Sequence, residues 1–170
     1  MRWWKQEDRE PFARMNADAR VMEFFPKTLT REESDATADW IESSFAKHGF
    51  GLYALELRET GEFIGFTGLA VPAFDAPFMP CVEVGWRVAF DHWGRGLATE
   101  AARAALRHGF EELGLTEIVA FTVPANERSR MVMEKIGMTR DPKADFDHPR
   151  IPEGSALRRH ILYRVRNSQR

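Results

Sequence analysis

Nine residues, Trp93-Gly-Arg-Gly-Leu-Ala-Thr-Glu-Ala101, constrain this chain more than any other stretch. They follow an alternating run, Val82-Glu-Val-Gly-Trp-Arg-Val88, and open an alanine-rich helical pattern. A strand therefore runs into a glycine turn, and the turn into a helix. Such a junction leaves unpaired backbone N–H groups at the helix start, a ready site for a phosphate. The small residues Gly94, Gly96 and Ala98 let an anion approach the backbone closely. Two common phosphate loops do not fit. No Lys-Ser or Lys-Thr follows the last glycine, which excludes a P-loop, and Thr99 stands where a dinucleotide fingerprint needs its third glycine.

Composition narrows the partners. The chain of 170 residues, 44% apolar, is long enough for one cored domain, taken as residues 1–170. A net charge of −2 gives no electrostatic case for nucleic acid. Cys81 is the lone cysteine, so no internal disulfide can form. No apolar run approaches the roughly 20 residues that span a bilayer, and Met1–Asp8 lacks the apolar stretch of a signal peptide. The expectation is a cytoplasmic protein with no membrane and no nucleic-acid partner, monomer or homodimer.

Periodicity lays out the elements. Arg2–Lys5 reads as a short first strand and Glu7–Arg20 as a helix with Phe12, Met15 and Ala19 on one face. Thr30-Arg-Glu-Glu33 is a capping box for a helix reaching Lys47. Strands are expected at Leu52–Arg58 and Phe63–Val71 across a hairpin turn, then at Cys81–Val88 after a proline-bearing loop. A helix over Leu97–Leu113, a strand over Glu117–Val123 and a helix over Glu127–Ile136 with Gly137 behind it follow. Met138–Thr139 begins a strand, Asp141–Ser155 has no period and reads as a long loop, and Leu157–Val165 alternates as a last strand. This is a mixed α/β chain built around one sheet.

A second block accompanies the glycine loop: Asn126-Glu-Arg-Ser129, followed by Glu134-Lys-Ile-Gly-Met138. Together the two blocks resemble the cofactor motifs of the GNAT superfamily of N-acetyltransferases, whose loop reads Gln/Arg-x-x-Gly-x-Gly/Ala. The form WGRGLATEA is most similar to the branch of ribosomal-protein alanine/serine N-acetyltransferases (RimJ/RimL-like). The resemblance runs from Trp3 to the end and is strongest over Val82–Met138. It implies a mostly antiparallel central sheet with helices on both faces. Its fourth and fifth strands would splay around acetyl-CoA, a cosubstrate. It further implies that Gly94, Arg95, Gly96, Leu97, Ala98 and Thr99 hold the pyrophosphate and that Val88, Asn126 and Ser129 line the cofactor. Trp93 departs from the family's Gln or Arg, a small loss where the contacts are with backbone.

Acetyl transfer needs a deprotonated amine, a polarised thioester and a proton for the departing thiolate. It needs neither a covalent enzyme intermediate nor a metal, and no metal site is expected. The family often supplies a Tyr acid at the position of Met133, which cannot donate a proton. The resemblance moves that role to Ser129, which is otherwise a plain helix residue. Asn126 is an N-cap by its own chemistry and a pantetheine ligand by resemblance. Glu83 is either the base, alone or through water, or a strand carboxylate paired with Arg87. His148 is a second candidate base, and Asp145 and Asp147 beside it either attract a cationic amine or form a polar turn. The expected activity is direct acetyl transfer to a primary amine, on a protein N-terminus or a small molecule. The competing reading is a non-catalytic acyl-CoA-binding module.

Overall fold

The computed structural model describes residues 1–167. Four helices form at the expected places, α1 beginning two residues late and both α1 and α3 ending early: α1 Arg9–Ala17, α2 Arg31–His48, α3 Leu97–Arg107 and α4 Glu127–Lys135. The strands are β1 Leu52–Glu56, β2 Phe63–Ala70, β3 Glu83–Val88, β4 Glu117–Thr122, β5 Thr139–Arg140, β6 Phe146–Asp147 and β7 Arg159–Arg166. They form a sheet of order β1-β2-β3-β4-β7-β5, with β6 also on β7. Every named pair is antiparallel except β3 with β4.

Helices cover both faces. Phe12, Met15, Ala38, Ile41 and Phe45 of α1 and α2 pack on Leu52, Ala54 and Phe66. On the other face, Ala102, Ala105 and Leu106 of α3 pack on Leu69, Val84, Ile118 and Ala120. Burial on both sides explains why every residue of β2 is buried and why its sequence does not alternate. The capping box of α2 forms as its residue types require: Glu33 N–H donates to Thr30 Oγ1 at 3.3 Å, and Thr30 N–H donates to Glu33 Oε2 at 3.0 Å.

Four expectations are corrected. The first strand shrinks to one bridge between Arg2 and Ala54. Asp8 draws the chain away from the sheet edge by accepting from the Arg2 guanidinium at 2.6 and 2.7 Å and from Lys5 N–H at 2.8 Å. The first helix stops at Ala17, because Asp18 turns its carboxylate onto Arg20 N–H and guanidinium. The helix after the glycine loop widens into a π-turn over His108–Glu112. There Gly109 lies so close to Ile118 and Leu69 that a Cβ would come within 2.7 and 2.9 Å of their side chains. The long loop after Asp141 contains β6, whose two residues pair with His160 and Arg159.

Gly65 of β2 sits at φ +145°, and an added Cβ would fall 2.1 Å from the Arg87 carbonyl oxygen. Both the backbone conformation and the space exclude a side chain. Gly65→Ala is expected to lower the free energy of unfolding by about 2–5 kcal/mol, measured by urea denaturation. A loss under about 0.5 kcal/mol would contradict this packing.

Candidate active site

The site begins where two parallel strands separate. Val119 N–H donates to the Val82 carbonyl at 2.9 Å, and Glu83 pairs with Val119 as the one registered β3–β4 pair. Beyond it the strands diverge. Counting the Arg2 segment, these are the fourth and fifth extended segments, so the splay falls where the resemblance implies. A cavity of about 660 Å³ fills the opening.

One wall is the glycine turn. Gly94 and Gly96 have φ of +74° and +77°, the left-handed region, and a Cβ at either would meet nothing within 4 Å. Gly96 stands just before α3, and its carbonyl accepts the helix's first bond, from Glu100 N–H at 3.0 Å. The N–H groups of Leu97, Ala98 and Thr99 are thus without acceptors among the described residues. They border the cavity together with Gly94, Gly96 and Val88. Such a helix start carries positive potential and suits an anion. Arg95 does not line the cavity; its guanidinium lies 3.1 Å from His92 Nδ1 at the surface. Trp93 is fixed by an indole N–H donated to the Val88 carbonyl at 2.7 Å.

The opposite wall is the start of α4. Asn126 Oδ1 accepts from Ser129 N–H at 3.1 Å, and its Nδ2 donates to Thr122 Oγ1 at 3.1 Å. The cap therefore occupies both ends of the carboxamide while the residue borders the cavity. Ser129 Oγ makes no hydrogen bond among the described residues. Met133, at the position where the family often has Tyr, is buried at the cavity floor.

Glu83, Gly85 and Arg87 share one face of β3, turned toward α1 and α2. Glu83 pairs with no cation among the described residues, Arg87 included. Burial pushes its carboxyl up to about 8, so it is mostly protonated at neutral pH. Burial likewise raises the Cys81 thiol to about 11 and leaves it a poor nucleophile. Glu83 nevertheless borders the cavity and is reached through it.

His148 and His160 stand side by side at the far end, ring centroids 5.1 Å apart, and both line the cavity. Burial lowers both, so both are neutral at pH 7. Their tautomers differ. His148 Nδ1 accepts from Arg150 N–H at 3.2 Å, which puts its proton on Nε2. His160 Nδ1 lies 3.1 Å from the Arg158 carbonyl and must donate to it, which leaves Nε2 with a free lone pair. The histidine equipped to take a proton is therefore His160, a residue of β7.

Asp145 and Asp147 are elsewhere. Asp145 is held by Arg140 at 2.6 Å and Asp147 by Arg159 at 3.2 Å, and neither lines the cavity. Their loop is a polar strand edge, and the expected attraction of a cationic amine by these two carboxylates has no geometric basis. The segment from α1 to α2 instead lines the cavity, with Val21, Phe24, Phe25 and Pro26. Alternation along β7 is the signal that exposes His160: it shares a face with Leu162, which packs on Phe146.

A carboxyl raised by burial makes the folded state bind a proton that the unfolded state releases near pH 4.5. Stability contributed by this group is therefore full below that pH and is lost as pH rises toward 8. Glu83→Gln is expected to match wild type near pH 4 and to be more stable at pH 9. Denaturation curves at both pH values decide it; equal stability at pH 9 would mean the carboxyl is not desolvated.

Comparison with known proteins agrees with this geometry. Residues 1–139 match the family described as Acetyltransferase (GNAT) domain. The chain is 35% identical over 159 residues to the FsC-acetyl coenzyme A-N(2)-transacetylase of Aspergillus fumigatus, covering 87% of this chain and 67% of that one. It is 33% identical over 135 residues to the uncharacterised protein YkkB of Bacillus subtilis, covering 78% and 77%. A GNAT-family acetyltransferase structure from Bacillus anthracis superposes with a TM-score of 0.79 at 26% identity, over 97% of this chain and 92% of that one. On its fold, its separated strands and this match, the chain belongs to the GNAT family of acetyl-CoA-dependent N-acetyltransferases.

Proposed function

We propose that the protein transfers an acetyl group from acetyl-CoA directly to a primary amine held on the α1–α2 side of the cavity. One observation carries this reading. The same cavity joins the free N–H groups at the start of α3 to an unpaired, desolvated carboxyl at the β3–β4 junction. The first suits a pyrophosphate and the second suits proton abstraction near neutral pH. A module built only to hold acyl-CoA has no use for the second.

In this reading Leu97, Ala98 and Thr99 bind the pyrophosphate through backbone N–H groups, while Gly94 and Gly96 leave the approach open. Val88, Asn126 and Ser129 line the rest of the cofactor path. The acceptor enters as an ammonium and gives up a proton to ionised Glu83 or to His160 Nε2. The amine nitrogen then bonds to the thioester carbon, the C–S bond breaks, and the nitrogen's second proton passes to the departing sulfur. Ser129 Oγ is the donor that stabilises the thiolate, since Met133 offers none. His148, with Nε2 protonated, serves as a hydrogen-bond donor rather than a base. The acceptor is a protein N-terminus or a small-molecule amine.

Acetyl-CoA is expected to raise Tm, since a ligand bound by the folded state alone stabilises it. Gly96→Glu should abolish that shift by adding a side chain and negative charge at the phosphate position. A folded Gly96→Glu protein with an unchanged shift would remove the turn from the cofactor site.

Thiol release from acetyl-CoA across an amine and peptide panel tests the transfer itself. Ser129→Ala should lower kcat roughly 10- to 1000-fold with acetyl-CoA affinity nearly unchanged. Glu83→Gln should lower kcat/KM for the amine roughly 100-fold or more. In wild type that parameter should climb with pH toward about 8 as Glu83 ionises. A flat profile in both proteins would assign the proton to His160.

A further inference from the structure

Arg87 is a part-buried cation with no anion beside it among the described residues. Its Nη1 donates to Asn16 Oδ1 at 2.6 Å, a neutral acceptor. Asn16 is itself fully buried and locked, its Nδ2 donating to Ser34 Oγ at 2.9 Å. The guanidinium carbon lies 4.3 Å from the Phe25 ring centroid and 5.3 Å from that of Phe66. Nε is enclosed and unpartnered. Nη2 donates to no described residue and is not enclosed, so it opens on the cavity that Arg87 lines. Burial lowers this guanidinium to about 10, which still leaves it charged at neutral pH.

Buried charges are ordinarily paired. No carboxylate stands opposite Arg87: among the described residues lining the cavity, Glu83 is the sole carboxylate, four residues back along β3. Four residues of strand separate the two Cα atoms by about 13 Å, and burial, not a neighbouring charge, is what raises Glu83. The rest of the acceptor-side wall is apolar, with Val21, Phe24 and Phe25, or cationic, with Arg150 beside His148. Apart from Glu83, a polyamine would meet no carboxylate among the described residues lining the cavity.

We propose that Arg87 supplies the counter-charge for a carboxylate on the acceptor, so that the substrate is an amine bearing a carboxylate several bonds away. This rests on the transferase reading for the position of the amine. The amine sits at the Glu83 end of the strand and the carboxylate at the Arg87 end. The molecule between them lies along Gly85, where the absence of a side chain leaves the floor clear. Phe25 lies over the guanidinium at the carboxylate end and is itself partly open to solvent.

The test compares acids with their own carboxamides. Gly-Phe and 6-aminohexanoate are assayed against Gly-Phe-amide and 6-aminohexanamide by thiol release from acetyl-CoA. Wild type is expected to favour each acid in kcat/KM by roughly 10- to 100-fold, the range of a charge-assisted hydrogen bond. Arg87→Gln should erase that preference, and Arg87→Lys should keep part of it. A purely structural role would lower acid and amide in parallel, and that result overturns the proposal. So does a wild type that favours spermidine or the amides. A tenfold loss of acetyl-CoA affinity in Arg87→Gln would make the counter-ion a cofactor phosphate and also overturn it.

A second measurement separates this proposal from the transferase reading. Calorimetric titration of N-acetyl-Gly-Phe and its carboxamide onto CoA-saturated protein reads the anion site without turnover. Preference for the acid, lost in Arg87→Gln, together with no turnover of any amine, sinks the transferase reading and leaves the anion site standing. Turnover with equal rates and equal affinities for acid and amide does the reverse.

Discussion

Everything in this fold depends on two parallel strands that meet once and then part. The single β3–β4 pair, Glu83 with Val119, ties the two halves of the sheet together. Past that point each strand finds its hydrogen bonds on its outer side only, β3 with β2 and β4 with β7. The inner edges would be a liability if water did not reach them or a ligand did not cover them. The chain spends its glycine turn, two helix starts and the segment from α1 to α2 on lining that gap. A sheet paired along its full width would be more regular and would hold nothing.

The opening also sets the electrostatics. Residues 83, 85 and 87 face α1 and α2 because strand alternation puts them there, and the apolar wall of Val21, Phe24 and Phe25 thins the water around them. The same desolvation acts in opposite directions on the two ionisable groups, raising a carboxyl and lowering a guanidinium. They are too far apart along the strand to neutralise each other. Two groups that would cancel as neighbours are instead held as separate features of one cleft.

Much of this was legible in the residues. The glycine turn, the capping box of α2 and the two covered faces of the sheet follow from local chemistry and periodicity. So do two walls of the cavity, because a glycine turn and an N-cap are local signals. The acceptor side was less legible, since it is assembled from segments distant in sequence. Asp145 and Asp147 look like a binding pair when read alone, yet Arg140 and Arg159 take them. His160 looks like a strand residue until β6 folds back and sets it beside His148. Arg87 looks like a partner for Glu83 because the two share a face. What separates them is strand geometry, and what fixes Arg87 is Asn16, a buried residue 71 positions earlier.

The neutral Glu83 carboxyl has a consequence for proton stoichiometry. At pH 7 the resting cleft already holds a proton on this group, and in the proposed reaction an arriving ammonium brings its own. Both cannot remain once the positive charge enters a desolvated space beside the carboxyl, because the ammonium favours the carboxylate. Uptake of the amine therefore expels a proton to the medium before any bond to carbon is made. Binding becomes a proton-releasing equilibrium, and the cleft's affinity for its acceptor, apart from its rate, is governed by the acidity of the surrounding solution.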